Sequence, residues 1–218
     1  MNKMLGAKNP AVSAALATVV LFVVGCMQSP LRDGATGAIQ SEATRDVSKA
    51  CAAAAAVPPA VDGNGLRADE IPIAYTPVNA DGSCGWTEWP APILADCTEP
   101  LVEGAPDLRG VWQVVEGDLL GHIERIEQCG SRVVIVGGGV IHDFMRADGT
   151  LEYGLDDVNV QTCLPIEVAA DYVNGTRLEL RAFDLTQALA VRELVGDTIV
   201  LEYYGSVNRM ERICDAPE

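Results

Sequence analysis

"TRLELRA", residues 176–182, alternates strictly: Leu178, Leu180 and Ala182 share one face, Arg177, Glu179 and Arg181 the other. Successive side chains of a strand point to opposite faces, so this stretch reads as a strand with one apolar and one wet face. Turn dipeptides recur on both sides of it: Gly117-Asp118, Gly130-Ser131, Asp148-Gly149, Asn174-Gly175, Gly196-Asp197 and Gly205-Ser206. Asn-Gly and Asp-Gly favour hairpin turns whose twist matches the flanking strands. The spacing predicts strands near 110–116, 122–129, 132–145, 150–160, 166–173, 176–184, 188–195, 198–204 and 207–213. "GGG" at 137–139 interrupts the third and predicts a bulge or sharp coil where the sheet bends. Short strands joined by tight turns predict a mainly β fold, an antiparallel up-and-down sheet closed into a barrel over 107–218.

"DLRGVWQVVEG", residues 107–117, carries Gly110 and Trp112 and resembles the glycine-x-tryptophan opening of lipocalins and related calycins. The resemblance implies that Trp112 plugs one end of the barrel and that a basic residue of the last strand lies across it. "SVNRMERI", residues 206–213, offers Arg209 and Arg212 for that place. The resemblance also implies a small apolar ligand inside the barrel, but a fold does not fix a function. A small barrel is either filled by its own side chains or holds one ligand. Two roles follow: binding of a small apolar molecule, or a structural or protein-interaction module with a solid core. A cavity of several hundred Å³ with apolar walls would favour the first. Tyr153, Tyr172, Tyr203, Tyr204, Phe144 and Phe183 read as core and rim residues rather than as a ligand box.

Upstream, residues 41–106 read as a cover rather than a core. "SEATRDVSKACAAAAAV", residues 41–57, suits a short alanine-rich helix or a low-complexity linker. As a helix it is capped by Ser41 and stopped by Pro58-Pro59. Residues 60–106, rich in proline and glycine, predict loop. "DGNGLRADEI", residues 62–71, resembles the middle of an EF-hand loop, but Ala60 and Ile71 occupy the positions of its first ligand and its bidentate acid. A turn made by Asp62, Asn64 and Gly65 is the better reading.

Residues 1–25 carry Lys3, Lys8, no acid and an uncharged apolar run from 11 to 25, the pattern of a signal peptide. Val23-Val24-Gly25-Cys26 resembles the lipobox of bacterial lipoproteins. The resemblance implies cleavage before Cys26, a diacylglyceryl group on its sulfur and residues 26–40 as lipidated terminus and tether. Several acyl chains hold a protein stably on a membrane. Met27, where an Asp would signal inner-membrane retention in that class, leans toward the outer membrane of a bacterial envelope, with the domain in the periplasm or at the cell surface.

Formal net charge is −16, and removal of residues 1–25 would cost two of the 15 bases and none of the 31 acids. Such a balance excludes nucleic acid as a natural partner and gives little attraction to anionic headgroups. The expected partners are the membrane, through acyl chains, and a small apolar ligand or an envelope protein.

Seven cysteines in an exported chain read as a disulfide set with one left over. Lipidation of Cys26 removes the odd one. Cys51, Cys84 and Cys97 precede the barrel; Cys129, Cys163 and Cys214 lie in it. An odd number on each side forces at least one bridge to cross. Cys84 and Cys97 flank a short loop and are expected to pair, leaving Cys51 to reach Cys129, Cys163 or Cys214. No C-x-x-C occurs and the two histidines lie far from the cysteines, which points to no metal site and no other cofactor. Catalytic constellations are equally thin. His142-Asp143 has only His122 to join it, Ser131 and Ser206 sit at turn signals, and Asp156-Asp157 reads as a solvated loop, so the expectation is no enzyme.

Overall fold

The computed structural model describes residues 48–52, 60–159, 162–182 and 186–214, with the side chains of 152–157 excepted. Cys26, the expected lipobox and tether, most of the alanine-rich segment and Phe183 lie outside the described residues.

Among the described residues, ten antiparallel strands form one sheet: β1 Gly110–Glu116, β2 Ile123–Cys129, β3 Arg132–Gly137, β4 Val140–Phe144, β5 Asp148–Asn159, β6 Leu164–Val173, β7 Arg177–Ala182, β8 Ala190–Val195, β9 Thr198–Tyr203 and β10 Ser206–Arg212. Their order is β4-β3-β2-β1-β10-β9-β8-β7-β6-β5. Sequence neighbours pair up and down, β1 closes onto β10, and only β4 and β5 leave a seam without a ladder. The sheet is therefore curled into an up-and-down barrel open along one line. At one point a loop stitches that seam: Ala147 N donates to Ser131 O, and Ala147 O accepts from Tyr172 N.

Alternation sets the inner face. On β7, Leu178, Leu180 and Ala182 are buried while Arg177, Glu179 and Arg181 lie outside, with Glu179 ion-paired to both arginines. Leu178 and Leu180 join Trp112, Val114, Ile126, Ile135, Phe144, Ile199 and Met210 in one core cluster.

The glycine run corrects the expected bulge in a single third strand. Gly138 and Gly139 both have positive φ, 57° and 85°, and Gly137 pairs with Val140. This is a two-residue hairpin turn of the kind that needs φ > 0 at both positions, so residues 132–145 make two strands. Two other turns are displaced. Asp148-Gly149 lies inside β5, beside a register irregularity, and the last hairpin turns at Tyr204-Gly205 rather than Gly205-Ser206.

β2 and β3 are buried on both faces, since every residue of β3 is buried. Residues 60–106 run across their outer side with little regular structure beyond a 3-10 turn at Ala68–Glu70. There Ala68, Leu94 and Cys97 pack on Cys129, Val134, Val136 and Ile141. The Asp62 turn is an Asx turn, in which Asp62 Oδ1 accepts from Asn64 N at 3.0 Å. Residues 48–52 are helical, and Ala50 packs on Val111 and Ile123.

Among the described residues, three disulfides cross between the leading segment and the barrel: Cys51–Cys214, Cys84–Cys163 and Cys97–Cys129. The expected Cys84–Cys97 bridge is not formed. The intervening chain is drawn along β2 and β3 rather than folded back. Trp86 N reaches Gly139 O at the β3–β4 turn, whereas Val102 N, just past Cys97, reaches Gly130 O at the β2–β3 turn. The two cysteines thus stand toward opposite ends of the same strands.

Candidate ligand cavity

One end of the barrel is closed by its own side chains. Trp112 is fully buried, and its Nε1 donates to Leu108 O at 2.8 Å. The guanidinium carbon of Arg212 lies 4.5 Å from the indole centroid, while Arg212 Nη1 donates to Arg109 O. Guanidinium stacks well on an indole face. Gly110 is a steric necessity of this arrangement. Its φ is 140°, and a Cβ there would collide with Arg212 Nη1 and lie 3.2 Å from the guanidinium carbon. Of the two arginines the sequence offered, Arg209 does not take part. Alternation turns it to the outer face, where it pairs with Glu116 and Glu211. Gln128 completes the closure: its Oε1 accepts from Leu108 N, and its Nε2 donates to Pro106 O and to the Tyr172 hydroxyl. Burial pushes the Tyr172 phenol above its ordinary range, so it stays neutral.

At the other end, where the β1–β2, β3–β4, β5–β6, β7–β8 and β9–β10 connections emerge, the interior holds a cavity of about 500 Å³. Ile135, Val168, Leu180, Leu189 and Leu201 supply apolar wall, and Tyr203 and Tyr204 stand at the rim. The two tyrosine rings meet edge to face at 4.7 Å. Phe144 and Tyr172 are not part of the lining, and the side chain of Tyr153 is not among those described.

The cavity wall also carries charge. Glu124 on β2 and Arg192 on β8 both point inward, with side chains 6 % and 4 % exposed. Arg192 Nε donates to Glu124 Oε2 at 2.8 Å, and Nη2 donates to Oε1 at 2.7 Å, a bidentate fork. His122 Nε2 lies 3.1 Å from the same Oε1. Burial alone would raise the Glu124 carboxyl. The charge of Arg192 and the hydrogen bonds from His122 and Arg192 outweigh it and hold the group well below the usual carboxylate range. Arg192 Nη1 is buried with no hydrogen-bond partner among the described residues. Nothing in the sequence single-handedly marks this pair. Its one signal is a charge out of phase with the outer charges on each strand, Glu124 within "IERIEQC" and Arg192 within "AVRELV".

His142 and Asp143 part company across β4. His142 lines the cavity and stacks near Phe144, while Asp143 is fully buried beneath the leading segment, held by Arg132 at 2.7 and 2.9 Å. Adjacent strand residues face opposite sides, so the sequence neighbours form no dyad. Ser206 donates to Asp118 at 2.9 Å between two rim loops. No cluster of three or more His, Cys, Asp or Glu fit for a metal ion occurs among the described residues. No protein-family model matches the chain, and no curated protein matches it.

Proposed function

We propose that this is a non-catalytic envelope lipoprotein, anchored through Cys26, whose lipocalin-like barrel holds a small, largely apolar ligand. The observation that carries the binding reading is the cavity of about 500 Å³. It falls inside the roughly 300–1,000 Å³ typical of small-molecule sites, and its wall combines apolar side chains with a few converging polar groups. Native mass spectrometry of the protein taken from its own envelope is expected to show a bound small molecule whose occupancy falls in Ala190→Trp, which places an indole in the cavity from its wall. An unliganded mass in the wild type, with no small molecule recovered by solvent extraction, would leave the alternative of a structural or interaction module.

The anchor rests on the charge, length, small residue and cysteine of residues 1–26. Cys26→Ser is expected to abolish incorporation of a fatty-acid analogue and to leave an uncleaved precursor. Label retained by that variant would overturn the anchor while leaving the cavity reading intact.

A further inference from the structure

We infer that the cavity selects an uncharged amphiphile whose ketone, ester or amide oxygen accepts a hydrogen bond from Nη1 of Arg192. This inference rests on the ligand-binding reading above and names the chemistry of the ligand.

Two of the three guanidinium nitrogens are used on Glu124, and the fork fixes the plane of the third. Arg192 is one of the residues lining the cavity, with only 4 % of its side chain exposed; its Nη1 is itself buried and has no partner among the described residues, so a ligand oxygen meets it where the wall opens around the ligand. A buried donor without an acceptor is costly, and a ligand oxygen relieves that cost. Because the donor belongs to a cation, the hydrogen bond it offers is of the stronger, charge-assisted kind.

Charge decides which oxygen. The Glu124–Arg192 pair is already neutral as a unit. A carboxylate brought to Nη1 would add a second anion within a few Å of Glu124, in a wall of low dielectric, and would leave the cluster with net negative charge. An ammonium would meet Arg192. A carbonyl oxygen accepts the bond and adds no charge, and its alkyl body matches Ile135, Leu180 and Leu201. The pair thereby acts as a polar anchor that does not attract ions.

Three chain-matched probes test this on the full protein by displacement of Nile red: 2-undecanone, its methylene isostere 2-methyl-1-undecene, and undecanoate. The measurement is made at about pH 8, where an alkanoate is fully ionised. The ketone is expected to bind about tenfold or more tightly than the isostere, and more tightly than undecanoate. Its carbonyl stretch, followed with a ¹³C label, is expected to move to lower wavenumber on binding. The double variant Glu124→Leu/Arg192→Met removes both charges together and so avoids stranding one of them. It is expected to bind the isostere as well as the ketone and to lose the infrared shift. Tighter binding of undecanoate than of the ketone would overturn the inference in favour of an anion site. Equal binding of ketone and isostere by the wild type would overturn it while sparing the ligand-binding reading. Failure of all three probes to displace Nile red, or of Nile red to bind, would count against both.

Discussion

Trp112→Ala is expected to cost about 3–5 kcal/mol of folding stability, the penalty for removing a large aromatic from a packed core. A domain of this size has only about 5–15 kcal/mol in hand, so the change consumes much of the margin. The site cannot easily collapse to fill the space. Trp112 is fully buried, shares a core cluster with Val114, Phe144, Leu178 and Met210, and is pinned above by Arg212 and below by the bond to Leu108 O. Denaturant titration with the disulfides intact should show a lower midpoint at unchanged slope. Arg212→Ala should cost less, on the order of 1 kcal/mol, because its guanidinium contributes mainly a stacking contact at the surface. A Trp112→Ala protein with the parent midpoint would mean that the tryptophan does not hold the closed end.

The strands were legible because their alternation survives in the sequence. β7 alternates in its residues and in its burial alike. The hairpin at Gly138-Gly139 was missed because a run of three glycines is compatible with a bulge and with a turn, and only the pairing of Gly137 with Val140 separates the two. The cover was legible from cysteine parity but not in detail. A local Cys84–Cys97 bridge is reasonable for a free loop, yet this loop is stretched along β2 and β3. A signal for that was present: "RVVIV", residues 132–136, breaks alternation, as a strand covered on both faces does. Arg125, Glu127, Arg132 and Asp143 escaped because charges on the outer face of a sheet normally meet water. Here they meet the cover. Arg125 donates to Pro90 O and Ala91 O, and Glu127 accepts from Leu94 N. The cavity pair escaped for the opposite reason, since Glu124 and Arg192 lie 68 residues apart and each looks misplaced without the other.

Arg132→Met is expected to be as damaging as the loss of Trp112, about 3–5 kcal/mol, since breaking a buried ion pair from one side leaves an uncompensated charge. Arg132 and Asp143 are both fully buried. Beyond Asp143, Arg132 Nη1 donates to Ala68 O and Ile71 O, and Nη2 donates to Pro72 O. Asp143 in turn accepts from Ala74 N at 2.9 Å. One side chain of β3 and one of β4 thus bind four backbone groups of the cover between residues 68 and 74. The disulfides at Cys51, Cys84 and Cys97 keep the cover attached in the variant, so the loss should be local as well as global. Hydrogen exchange is expected to rise first at residues 66–76, before β7 or β9 loses protection. The double variant Arg132→Met/Asp143→Leu removes the stranded carboxylate and should recover part of the loss, but not the carbonyl bonds. If the single variant melts like the parent and residues 66–76 stay protected, the pair is not what fastens the cover. If the single and double variants lose equally, the bonds to the backbone carry the energy, and the stranded charge does not.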